Sequence, residues 1–123
     1  MYMRGIRGAT TVEHNEESEI LQATIQLLQQ IVTANDIKPE DIGSVIITVT
    51  QDLDAVFPAK AIRQMKGWEL VPLMCALEIN VEGSLSRCIR FMVHVNTEKK
   101  QDEIVHVYLN GATALRPDLS TQS

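Results

Sequence analysis

A chain of 123 residues, 45% hydrophobic and 22% charged, makes one globular domain with a modest core the sensible count. Its net charge of −5 excludes the broad basic face that nucleic acid requires, although a few local arginines can still dominate one pocket. No apolar run approaches the ~20 residues of a membrane span, and the start "MYMRGIRG" lacks an apolar signal core, so a cytoplasmic protein with no membrane partner is expected.

"YMRGIRGATT" is β-compatible and bounded by glycines, and predicts the first strand. Arg7 shares a face there with Gly5 and Ala9, whose small side chains leave room beside it. "NEESEILQATIQLLQQIVTAND" predicts a helix, with Ile20, Leu21, Thr24, Leu27, Leu28, Ile31 and Val32 recurring on one face. Asn15 is placed to cap its start, and Glu16, Glu17 and Glu19 suit the positive end of the dipole. Asn35 and then Pro39 mark the stop. "KPED" reads as a single turn, and "GSVIITVT" as a buried strand. "QDLDAVFPAKAIRQMKGWELVP" predicts a loop, a short helix with Pro58 at its first position, and a stop at Gly67. Lys60 and Arg63 project from one side of that helix, which for two charges alone is ordinarily a solvated face. "LVPLMCALEI" is a further strand with Glu78 at its far end, followed by the glycine-containing loop "NVEGSLS".

"RCIRFMVHVN" gives the strongest strand signal. Ile89, Phe91, Val93 and Val95 share one face and belong in a core; Cys88, Arg90, Met92 and His94 share the other. After a polar turn, "IVHVYLNGATALRPD" closes the chain, with Val105, Val107 and Leu109 facing inward and His106, Tyr108 and Asn110 facing away. The result is one α+β domain over residues 1–123, a mixed β-sheet with helices packed outside. Its early half is suited to a right-handed βαβ unit, and about residues 116–123 form a flexible tail.

An arginine inside a strong strand means either that the face is wet or that the cation meets an anion. A buried arginine needs a partner, and Glu78, one strand away on this reading, would serve as a purely structural one. Alternatively Arg7, Lys60, Arg63, Arg90, Tyr108 and Arg116 gather around a small carboxylate, which the guanidinium fork grips with two parallel hydrogen bonds. A domain this small would enclose such a site best as a symmetric oligomer. His14, His94 and His106 are scattered, and Cys75 and Cys88 have no evident partner, so nucleophilic or acid–base catalysis has little support. Neither CxxC nor HExxH occurs, so no metal is expected.

The segments "RGIRGATTVE", "DLDAVFPAKAIR", "VPLMCALEINVEGSLSRCIR" and "QDEIVHVYLNGATALRPDL" together resemble the monofunctional chorismate mutases of the small trimeric class. The resemblance covers nearly the whole chain in register. It implies a pseudo-α/β-barrel homotrimer with active sites at subunit interfaces. It also implies the rearrangement of chorismate, a dicarboxylate, to prephenate on the way to phenylalanine and tyrosine. That unimolecular reaction needs no nucleophile, metal or cofactor, and the inventory offers none.

By the same resemblance, Arg90 reaches the ether oxygen of the breaking bond and a carboxylate. Arg7 binds a carboxylate with Tyr108 beside it. Glu78 and Cys75 address the ring hydroxyl and the developing charge of the ring. Phe57 and Leu73, helped by Ala59, shape the apolar wall. Lys60, Arg63, Leu115 and Arg116 cover the mouth. The chain departs from the family pattern at Met74, a pocket position where a small hydroxyl residue is usual, and at Asn80 and Ser84 in the loop. Cys75 and Glu78 are three apart, so a bulge or a strand end near Ala76 is needed to bring them to one face. Rival readings are an imine or enamine deaminase of similar size, a non-catalytic module that senses chorismate, and a ligand-free structural trimer. Turnover of an imine with ammonia release, binding without turnover, and a melting temperature indifferent to dicarboxylates would distinguish these in turn.

Overall fold

The computed structural model describes residues 1–115. In chain order it runs β1 (Tyr2–Thr11), α1 (Glu17–Asn35), a 3-10 turn (Pro39–Asp41), β2 (Ile42–Val49), α2 (Ala59–Arg63), β3 (Leu73–Leu77) and β4 (Cys88–Thr97). A second 3-10 turn (Gln101–Glu103), the two-residue β5 (Val107–Tyr108) and a last 3-10 turn (Asn110–Ala114) follow. The strands form one five-stranded mixed sheet in the order β3-β2-β4-β1-β5. β4 is antiparallel to both of its neighbours, while β2–β3 and β1–β5 are parallel.

The alternation read from β4 holds. Ile89, Phe91, Val93 and Val95 are all buried in the main core, and Arg90, Met92 and His94 are half-buried on the opposite face. That core lies between the sheet and α1, where Ile20, Leu27, Leu28 and Ile31 are completely buried. The early βαβ expectation holds in a split form. β1 and β2 run parallel around α1, but β4 is inserted between them, and the direct parallel unit is β2–α2–β3. Strand order is set by pairings distant in sequence, which local pattern does not encode.

Two capping expectations also change. The residue before α1 is Glu16, with no side-chain cap; Asn15 instead donates to the Asp54 carboxylate at 2.7 Å and accepts from the Asp54 and Ala55 backbone N–H groups, each at 3.1 Å. α2 ends at Arg63 with Pro58 just before it, and Gly67 (φ +91°) serves the turn that follows.

α1 approaches the sheet tightly at Gly8. A Cβ there would stand 2.5 Å from Ile31 Cδ1 and 3.2 Å from Leu27 Cδ1. Gly8→Ala is therefore expected to cost about 1–3 kcal/mol, and Ile31→Val alone about 0.5–1.5 kcal/mol. Valine lacks the colliding Cδ1, so the double variant should cost clearly less than the sum in denaturant unfolding. Simple additivity would show that α1 moves away as a body instead.

Candidate active site

The sheet face away from α1 carries the polar residues. Register places Ala76, Thr48, Arg90, Ala9 and Tyr108 in one row across all five strands. The next row contains Met74, Ile46, Met92 and Arg7. Side chains in such rows stand on one face because the strand repeat is two. Ala9 is the residue between Arg90 and Tyr108, so the row has space above it there. Arg7, Ala9, Thr48, Arg90, Met92, Tyr108 and Leu115 line a hollow of about 440 Å³ there.

Arg90 and Glu78 do meet, but across two strands rather than one, with Thr48 of β2 between them. Arg90 Nε lies 3.5 Å from Glu78 Oε1, and Thr48 Oγ1 donates to Glu78 Oε2. The Arg90 side chain is 42% exposed and that of Glu78 21%. Arg90 Nε is buried and makes no hydrogen bond among the described residues. A buried donor beside a hollow is a place for an acceptor. Thr48 was missed at the sequence level because β2 reads as a buried strand rich in β-branched residues; its face, shared with Ser44 and Ile46, emerges only from the pairing with β4.

Tyr108 is buried in a small second cluster with Ala9, Cys88 and Ala112, and Leu85 and Leu115 pack against it. Burial pushes the Cys88 thiol up to about 11, although neighbouring Arg90 pulls it down. Cys88 therefore stays an uncharged core thiol at neutral pH.

Not all the expected site residues converge. β3 continues in regular register to Leu77, and the Glu78 N–H still bonds the Val49 carbonyl at 2.9 Å. No bulge intervenes, so Cys75 stays on the face opposite Glu78. There it packs, with Leu73, against the main core. Cys75 and Phe57 line a separate, apolar hollow along edge strand β3, and Phe57 is 71% exposed. The two hollows share no lining residue among those described. Ala59 is buried on α2, which packs on α1. Lys60 Nζ lies 3.8 Å from Glu17 Oε1, and Arg63 is exposed. Neither lines the Arg90 hollow. Met74 is 65% exposed in the row beside it. Arg116 and the expected tail lie outside the described residues.

The family model for chorismate mutase type I matches residues 3–119. The chain belongs to the type I chorismate mutases. It is 54% identical over 120 residues to chorismate mutase AroH of Bacillus subtilis (strain 168), covering 98% of this chain and 94% of that one. Against chorismate mutase AroH of Thermus thermophilus the identity is 49% over 120 residues, covering 97% and 98%. A solved chorismate mutase from Clostridium thermocellum superposes with a TM-score of 0.88 at 53% identity, covering 90% of this chain and 98% of that one. This chorismate mutase is thus an isomerase of aromatic amino acid biosynthesis, built on a mixed five-stranded sheet with two helices. Among its described residues no helix is long and apolar enough to cross a membrane.

Proposed function

We propose that the Arg90 hollow is one half of the site at which chorismate rearranges to prephenate, and that a neighbouring copy supplies the other half. The observation that carries this is the convergence of Arg7, Arg90, Glu78 and Tyr108 on one face of the sheet, with Arg90 Nε buried beside the hollow and without a hydrogen bond among the described residues.

The reaction breaks one C–O bond as one C–C bond forms in the same molecule, so its atoms balance with nothing added, and no cofactor enters the proposal. The protein's tasks are to hold the folded conformer and to meet charge where it grows. In this reading Arg90 donates to the ether oxygen as the C–O bond lengthens. Arg7 holds a carboxylate with the Tyr108 hydroxyl beside it. Glu78, fixed by Thr48 and Arg90, accepts from the ring hydroxyl.

Phe57, Leu73 and Cys75 form the apolar wall, helped by Ala59. One chain holds them away from Arg90, so a second copy must present them. Lys60 and Arg63 come with that wall, and Leu115 closes the mouth from the Arg90 side; Arg116, outside the described residues, is proposed to cover the mouth with it. Three copies related by symmetry would complete three such sites. In support, β3 is an edge strand with no charged residue, and its outer side pairs with no other strand among the described residues; Ile46 and Met74 are exposed on the open face. The whole chain is proposed as one such domain, since the family match spans residues 3–119. A cytoplasmic location belongs to the same proposal, and the two free cysteines accord with a reducing compartment.

The test is to mix purified protein with chorismate and follow its loss against the appearance of prephenate. Stoichiometric conversion that is unchanged by a chelator is the expected result. No conversion by a folded sample would overturn the proposal and favour a chorismate-sensing module, making Met74 the first position to revert.

A further inference from the structure

We propose that His106 is a positioning residue for Arg7, acting through the Arg7 main chain. The inference rests on the reading of Arg7 as a carboxylate clamp given above. β5 is a stub. It pairs with β1 only at Gly8↔Val107 and Ala9↔Tyr108, and the ladder closes with the Leu109 N–H on the Ala9 carbonyl at 2.9 Å. In a parallel ladder of this phase the bond two residues earlier would run from the Arg7 N–H to the Val105 carbonyl.

Val105 is not free for it. Asn35, completely buried in the last turn of α1, donates from Nδ2 to the Val105 carbonyl at 2.9 Å and accepts the Val105 N–H on Oδ1 at 2.8 Å. Val105 is thereby tied to the helix and drawn off the edge of β1. The Arg7 N–H is left without its backbone acceptor, and His106 Nδ1 takes that place at 2.9 Å.

The imidazole thus extends the β1–β5 ladder by one bond beyond where the backbone ends it. That bond fixes the main chain at Arg7 two residues from the Ala9–Tyr108 pair. Arg7 and Tyr108 flank one hollow, so the bond sets their relative placement. Sequence parity put His106 on the outward face of its segment and gave no sign of a main-chain partner.

A main-chain placement of this kind concerns substrate capture more than the breaking bond, so KM and kcat should separate. His106→Leu removes the acceptor and should raise KM for chorismate about three- to tenfold, the range of one neutral hydrogen bond, with kcat within about twofold. His106→Asn supplies a short amide oxygen and should recover most of the loss; a merely space-filling histidine would be replaced as well by leucine. Arg7→Ala, run alongside, should raise KM further than either.

An unchanged KM in His106→Leu beside a raised one in Arg7→Ala overturns the positioning role and leaves the site reading intact. An unchanged KM in Arg7→Ala overturns the site reading, and this inference with it. A fall in kcat equal to the fall in kcat/KM, with no recovery by asparagine, also overturns it. If the leucine variant does not fold, His106→Ala against His106→Asn gives the same comparison.

Discussion

Arg90→Ala should lower kcat by about a hundred- to a thousandfold or more, the effect of deleting one oxyanion donor, while the protein stays folded. The two halves of that expectation come from the same geometry. Arg90 lines the hollow from the central strand β4 and carries a buried Nε with no hydrogen bond among the described residues, so its strongest interaction waits for an acceptor that develops charge. Interactions realised in the transition state appear in kcat. Stability should change little. The side chain is 42% exposed and its contact with Glu78 is a 3.5 Å approach, so losing the pair costs about 1 kcal/mol or less. Arg90→Lys should remain at least about tenfold slower than the native enzyme, because an ammonium does not reproduce the planar fork. Measured kcat near the native value in the alanine variant would sink the assignment. Full activity in the lysine variant would show that charge alone suffices.

Two inactive variants should restore one another when mixed. Phe57→Asp places a carboxylate in the wall proposed to face a dicarboxylate substrate, and on its own should be as poor a catalyst as Arg90→Ala is. The two lesions lie in different hollows that share no described residue. If each site takes its arginines from one copy and its apolar wall from the next, random reassembly of an equal mixture leaves roughly a quarter of the sites with both halves native. Activity should therefore rise from near zero to roughly a quarter of the native level after subunit exchange. It should not rise when either variant is exchanged with itself. No recovery in a mixture shown to have exchanged would mean that a single copy forms the whole site.

The alternation in β4 was legible because burial on one face is a local, period-two property, and Ile89, Phe91, Val93 and Val95 repeat it without a break. The apolar face of α1 was legible for the same reason at period 3.6. What sequence pattern missed was non-local. Asn15 has the chemistry of a cap, but Asp54 and the Ala55 backbone, some forty residues on, claim its side chain. The insertion of β4 between β1 and β2 moved Glu78 from one strand away to two and gave Thr48 a role. Parity did flag that Cys75 and Glu78 point to opposite sides. The regular register to Leu77 shows the conflict to be real, and in the proposed assembly a second copy, rather than a bulge, resolves it. Asn35 and His106 were invisible as a pair, since one reads as a helix stop and the other as an outward residue.

The core between the sheet and α1 and the smaller cluster of Ala9, Cys88, Tyr108 and Ala112 lie on opposite sides of the same sheet. The first holds most of the buried apolar side chains, and the second includes Ala9 and Tyr108, which line the hollow. Mutational tolerance is therefore unevenly distributed. Substitutions at Leu115, which lines the hollow and is half-buried, can reshape what it admits while the larger core keeps the chain folded. In a lineage adapting to a new dicarboxylate, selection could act on that side of the sheet with little penalty to folding. The same freedom does not extend to α1, whose close seat on Gly8 ties every change there to the stability of the whole.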